Sequence, residues 1–204
     1  AETAVAFATG MGAISAVFGI TMESGDDAIA HQTLYGCTVS LFDNWFPKYR
    51  MRSRYVDLSD PGRVAGLVGP HTRVIHLESP TNPTLQCLDI AGIARELARV
   101  NRRRRRRILL CVDNTFATPF GQRPLALGAD FVVESLTKDI AGFGTDMGGA
   151  VMSRREFESL LFLYRKDFGA VLSPRAAWPI LVYGLPTLAT RLKRQEATAL
   201  AVAS

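Results

Sequence analysis

Ile108-Leu-Leu-Cys-Val-Asp-Asn-Thr-Phe-Ala-Thr-Pro-Phe-Gly-Gln-Arg-Pro-Leu-Ala-Leu-Gly-Ala-Asp-Phe-Val-Val-Glu-Ser-Leu-Thr-Lys138 sets two short apolar runs against a turn-rich middle. Ile108–Val112 and Phe131–Val133 have the length and composition of buried strands, and Leu125–Leu127 that of a short helix. Each apolar run ends in polar residues, Asp113-Asn114 after the first and Glu134 to Lys138 after the second. Upstream, Asp89–Val100 places Ile90, Ile93, Ala94, Leu97 and Ala98 at helical spacing. Arg73–Leu77 reads as another buried strand, ending at Glu78-Ser-Pro-Thr-Asn-Pro83. Nearer the start come helices over Gly10–Thr21 and Leu34–Phe42, with a short strand over Asp27–His31 between them. Downstream, Gly149–Met152 reads as a strand, followed by helices over 154–166 and 174–185. Strands separated by helices make βαβ units, so the expected fold is α/β, a mostly parallel sheet flanked by helices. In such sheets ligands sit beyond the carboxyl ends of the strands. Glu78 to Asn82, Asp113-Asn114 and Glu134 to Lys138 are therefore expected at one edge.

Composition sets limits. The chain has 204 residues, 48% hydrophobic and 21% charged, which suits one domain with a core of its own. No uninterrupted apolar stretch is long enough to span a bilayer, and the first residues lack the pattern of a secretory signal. The three cysteines, Cys37, Cys87 and Cys111, have neither zinc-site spacing nor an even count, which favours a reducing compartment. A cytoplasmic location is expected. The first residue is not Met, and the last residues fall within an Ala-rich helical pattern, so a piece of a longer protein is expected. The net charge of +5 is smaller than the contribution of six consecutive arginines, Arg102–Arg107. The basic balance is thus local rather than a field over the whole surface.

Four segments carry chemistry. Lys138 follows an apolar strand and is flanked by Ser135 and Thr137; a lysine so placed suits a carbonyl cofactor, with the hydroxyls on a phosphate. Alone, the motif reads as readily as a surface lysine in a loop. Asp113 ends the preceding strand, 25 positions earlier. A carboxylate there can pair with a protonated pyridine nitrogen, although an Asp at a strand end also caps helices and turns. The spacing suits neighbouring strands holding two sides of one ring. Thr9-Gly-Met-Gly12 opens a helix, where free N–H groups can meet a phosphate; a tight structural turn is the alternative. Tyr35 can stack on a heteroaromatic ring or carry a proton, or simply pack in the core.

Together these segments resemble the Cys/Met-metabolism enzymes that use pyridoxal 5'-phosphate (PLP). The resemblance extends through Glu78–Pro83, Val112-Asp-Asn-Thr-Phe116, Gln122-Arg-Pro-Leu125, Ser135-Leu-Thr-Lys138 and Gly169-Ala-Val-Leu-Ser-Pro174. It implies the large domain of an aspartate aminotransferase-like PLP-dependent transferase fold spanning residues 1–204. It implies Lys138 as the Schiff-base lysine, Asp113 on the pyridinium nitrogen, and Tyr35 stacked on the ring and protonating the leaving thiolate. Gly10 and Met11 would offer N–H groups, and Ser135 and Thr137 hydroxyls, to the phosphate. Asn82 would reach the phenolic oxygen, with Glu78 supporting it. Within the family, Cys37 points to the methionine γ-lyases, which place a cysteine beside the substrate side chain; Lys166 is a secondary cue. A small buried hydrophobe is the plainer reading of Cys37. Cystathionine γ-lyases and O-acetylhomoserine sulfhydrylases are the alternatives. The substrate is then a sulfur-containing amino acid. The implied assembly is a homo-oligomer, a tetramer of dimers sharing active sites.

The pattern departs from the family in four respects. Asp139 and Phe143 stand where the family carries tyrosine and histidine. Arg102–Arg107 is an insertion, expected as a solvated loop; neither nucleic acid nor membrane is expected as a partner. The N-terminal arm that meets a neighbour's phosphate and the C-terminal domain with the carboxylate-binding arginine lie outside these residues. A catalytically impaired relative with a binding role through the arginines is a further alternative.

Overall fold

The structure is a computed structural model describing residues 1–204. Seven strands form one sheet: β1 (Thr3–Phe7), β2 (Asp27–His31), β3 (Arg52–Val56), β4 (Thr72–Glu78), β5 (Leu109–Asp113), β6 (Phe131–Ser135) and β7 (Gly149–Ser153). Their order is β1-β7-β6-β5-β4-β2-β3. The five strands from β6 to β3 are parallel, while β7 runs antiparallel to both β6 and β1. The α/β class with a mostly parallel sheet is as the sequence predicts.

Helices cover both faces. On one side α1 (Gly10–Thr21), α2 (Gly36–Asn44) and, later in the chain, α6 (Glu158–Asp167) enclose a core containing Val5, Phe18, Phe42, Cys111, Phe131 and Leu161. On the other, α3 (Val64–Leu67) and α4 (Ile90–Asn101) cover Ile75, Leu77, Leu110, Val112 and Val132. β4 and β5 feed both layers through alternate side chains, so each carries a run of consecutive buried residues, Val74–Glu78 and Leu109–Val112. Thr9 caps α1 by accepting the Gly12 N–H at 2.9 Å, and Asp89 caps α4 through the Gly92 N–H at 2.8 Å. The remaining helices are α5 (Thr118–Gly121), α7 (Pro174–Pro179) and α8 (Leu185–Ala203), with a wide turn over Ile180–Gly184 between α7 and α8. No helix is long and apolar enough to cross a membrane.

Three local differences from the sequence expectations have physical causes. β1 and β3 carry weak strand signals because both are edge strands: one is Ala-rich, and the other is mostly exposed, with two arginines and Tyr55 facing solvent. The helix expected from Leu34 begins at Gly36, because buried Glu78 accepts the Tyr35 N–H at 2.7 Å and holds that residue outside the helix. The arginine run is not a freely solvated loop. Arg104 donates to the carbonyls of Gly69, Pro70 and Thr72, Arg106 binds both carboxylate oxygens of buried Asp26, and Arg107 pairs with buried Asp130.

Candidate active site

β4, β5 and β6 end side by side, with Glu78 opposite Asp113 and Asp113 opposite Val133 in the ladders. Beyond these ends lies a cavity of about 370 Å³. Gly10, Met11, Tyr35, Glu78, Asn82, Asp113, Ser135, Thr137 and Lys138 all contribute to its wall. Nine of the ten residues singled out from sequence thus meet at one edge. The tenth, Cys37, is exposed in the first turn of α2, outside the wall but beside Tyr35.

At one end of the cavity α1 presents its N-terminus. Thr9 satisfies the Gly12 N–H, whereas the N–H groups of Gly10 and Met11 have no acceptor within the protein. Unpaired N–H groups at a helix start make an anion site. Gly10 is required there by close approach, since a Cβ at that position would lie 2.9 Å from Ser135 Cβ. The Thr137 hydroxyl also lines the wall but is engaged with Gly148, accepting its N–H at 3.1 Å.

Asp113 stands at the end of β5. Its Oδ1 accepts the Thr115 N–H at 2.9 Å, and Thr115 is the one residue that hydrogen-bonds the carboxylate. Burial pushes this carboxyl above its ordinary range, partly opposed by the Thr115 hydrogen bonds. A cationic N–H placed on this carboxylate would restore the charged form. Lys138 sits in a wide turn over Leu136–Ile140 that breaks helical geometry at the lysine itself. That turn is braced from behind: Arg191 of α8 donates to the carbonyls of Ile140 and Gly184. Gly142 follows with φ +79°, and a Cβ there would collide with the Arg191 guanidinium. Asp139 turns toward α8, where Gln195 donates to it at 3.4 Å, and Phe143 lies under Arg191. Both departures from the family pattern therefore fall outside the cavity wall.

Glu78 ties the remaining wall together. Its two oxygens accept the N–H groups of Tyr35 at 2.7 Å and Asn82 at 3.2 Å. Burial pushes it up to about 7, with the Tyr35 N–H opposing and Asp113 adding to the shift. The Asn82 side-chain amide has no partner in the protein. Tyr35 is 40% exposed on the rim, and Cys37 raises its phenol above the ordinary value, ahead of burial and Glu78. Lys166 pairs with Asp167 at 3.3 Å and does not line the cavity. Sequence reasoning missed Thr115, Phe116 and Met147, which also line it. Thr115 and Phe116 adjoin Asp113 and were within reach of the strand-end argument; Met147 lies in a loop with no local signal.

The model of the Cys/Met metabolism PLP-dependent enzymes matches residues 1–204. L-methionine gamma-lyase of Pseudomonas deceptionensis is 39% identical over 204 residues, 99% of this chain and 50% of that protein. O-succinylhomoserine sulfhydrylase of Pseudomonas aeruginosa is 40% identical over 203 residues, 100% of this chain and 49% of that protein. Among solved structures, cystathionine gamma-lyase from Lactobacillus plantarum, complexed with L-serine, superposes with a TM-score of 0.85 at 34% identity. It covers 92% of this chain and 47% of that one. The chain spans about half the length of the curated relatives it matches. The cavity fits PLP by its donor and acceptor set: free N–H groups for an anion, a buried carboxylate, a lysine and a rim aromatic.

Proposed function

The chain belongs to the Cys/Met metabolism PLP-dependent enzymes, and from that premise we propose that the intact protein is a carbon–sulfur lyase of the methionine γ-lyase type. The reaction is L-methionine plus water to methanethiol, 2-oxobutanoate and ammonia. One observation carries this reading: Lys138 and Asp113 flank one cavity whose rim bears Tyr35 with Cys37 beside it. The chain is then the large, cofactor-binding domain, with the groups that hold the substrate carboxylate supplied from outside these residues.

Bound PLP supplies an electron sink for the pair of electrons left at the substrate Cα. The protein's part is positioning and proton transfer. Gly10 and Met11 N–H groups and the Ser135 hydroxyl would hold the phosphate, with Thr137 beside them. The Asp113 carboxylate would accept the ring N–H and keep it protonated. Asn82 would donate to the phenolic oxygen. Lys138 Nζ would hold the cofactor and, once released from it by substrate, would carry away the Cα proton, give that proton up, and only then take a Cβ proton. The Tyr35 hydroxyl protonates the departing sulfur. Its raised phenol suits it to give that proton rather than stand ionised.

Cystathionine γ-lyase or O-acetylhomoserine sulfhydrylase activity is the second reading. It is favoured by the exposed position of Cys37 outside the wall and by the names of equally similar relatives. We place the enzyme in the cytoplasm as a homotetramer of dimers; exposed Trp178, Leu181 and Tyr183 offer apolar surface for such contacts. Internal use of Arg104, Arg106 and Arg107 counts against a nucleic-acid role. Measuring 2-oxobutanoate from methionine, cystathionine and O-acetylhomoserine separates the readings. Methionine should give the highest kcat/KM, and Cys37→Gly should lower it by about tenfold or more while sparing cystathionine. A preference for cystathionine that Cys37→Gly leaves untouched would replace the first reading with the second.

A further inference from the structure

Side chains alternate across a strand, so Asn114 and Glu134 face away from the cavity that Asp113 and Ser135 line. Behind it they belong to a hydrogen-bonded chain that runs on through Gln122 to Ser79. Glu134, 1% exposed, accepts from Asn114 Nδ2 at 2.7 Å through Oε1. The other hydrogen of Asn114 Nδ2 goes to the Gln122 carbonyl at 3.2 Å. Asn114 Oδ1 accepts from Gln122 Nε2 at 2.9 Å, and the same Nε2 donates to the Ser79 carbonyl at 2.8 Å. Both side-chain amides thus have every N–H engaged. Ser79 in turn donates its N–H to the Asp113 carbonyl at 3.4 Å, and the Asn114 N–H reaches the Val133 carbonyl at 2.9 Å. The chain joins the ends of β6, β5 and β4, the three strands that deliver Lys138, Asp113 and Glu78.

We propose that Glu134, Asn114 and Gln122 are positioning residues for the cofactor site, a crossbar that aims Asp113 and Glu78 from behind. Asn114 cannot shift without moving its neighbour Asp113. Ser79 cannot shift without moving Glu78, and with it the N–H groups of Tyr35 and Asn82. Glu134 Oε2 has no partner in the protein, and burial pushes the carboxyl up to about 8. Burial thus favours the uncharged carboxyl, and what Asn114 takes from Glu134 is an acceptor oxygen rather than a fixed charge. A neutral amide of the same shape should replace it, and an apolar side chain should not.

This inference rests on the cofactor reading, and its test reads PLP binding rather than turnover. Intact protein and the variants Glu134→Gln, Glu134→Leu and Gln122→Leu are stripped of cofactor and titrated with PLP. Visible absorbance gives affinity, and visible circular dichroism reports the orientation of the bound ring. Glu134→Gln should stay within about twofold of wild type. Glu134→Leu and Gln122→Leu should bind about tenfold more weakly or worse, with altered visible dichroism. Should Glu134→Leu fail to fold, Gln122→Leu at its half-buried site decides alone. Wild-type affinity and dichroism in Gln122→Leu would overturn the crossbar while leaving the cofactor reading intact. A wild-type protein that takes up no PLP would overturn both.

Discussion

Lys138 shows how far single residues can be read. Its tetrapeptide alone fits a surface lysine, and the structure does leave it exposed. Its meaning comes from Asp113 at the end of the adjoining strand and from the free N–H groups of Gly10 and Met11. All of these are strand-end or helix-start positions, the places where sequence pattern predicts location best. Glu134, Asn114 and Gln122 were not legible as a unit, because their pairing exists only once three strands are side by side. His76 was not legible either. It is fully buried in β4, neither ring nitrogen has a hydrogen-bond partner, and the rings of Phe18 and Phe42 pack nearly perpendicular to it. Burial lowers its pKa from 6.5 to about 4. Below pH 6.5 the unfolded chain takes up a proton that the folded chain refuses until about pH 4. The stability His76 contributes is present above 6.5 and is lost as the pH falls through that window. His76→Leu should accordingly show a smaller drop in Tm between pH 7 and pH 4 than wild type. Superimposable acid limbs would contradict the buried neutral imidazole.

At the scale of elements, the parallel strands and amphipathic helices were readable because burial imposes period and composition on them. α4 carries Ile90, Ile93 and Leu97 on one face, and β5 is apolar up to its final Asp113. The edges were not readable, since β1 and β3 owe their conformation to ladder partners rather than to their own residues. The start of α2 was misplaced for a similar reason, the capture of Tyr35 by a glutamate 43 residues away. The arginine run is the clearest case, because six identical residues acquire different fates from their surroundings. Arg106 neutralises Asp26, which is only 6% exposed, whereas Arg103 is exposed and has no side-chain partner. Arg106→Ala should destabilise the protein by about 1–3 kcal/mol, because a buried carboxylate is left without its cation. Arg103→Ala should change stability by less than about 0.5 kcal/mol. Urea unfolding of the two variants separates them, and equal effects would return the whole run to the status of a solvated loop.

Over the whole molecule, two apolar layers clamp one sheet, and the sheet's polar ends converge on a single cavity. The sequence carried this plan because each layer needs its own periodic face and each strand end its own polar stop. It carried the choice of substrate much less well. The cavity wall is set by strand-end and helix-start residues, whereas Cys37, on which the proposed choice of methionine rests, is exposed and outside that wall. The central claim is that Lys138 and Asp113 hold PLP between them. It is tested most directly by titrating cofactor-free intact protein and its Lys138→Ala variant with PLP and following visible absorbance and borohydride trapping. The account predicts a saturable band in wild type, trapped irreversibly on Lys138, and no such linkage in Lys138→Ala. A wild type that develops no band, or a trapped cofactor on a different lysine, would contradict it.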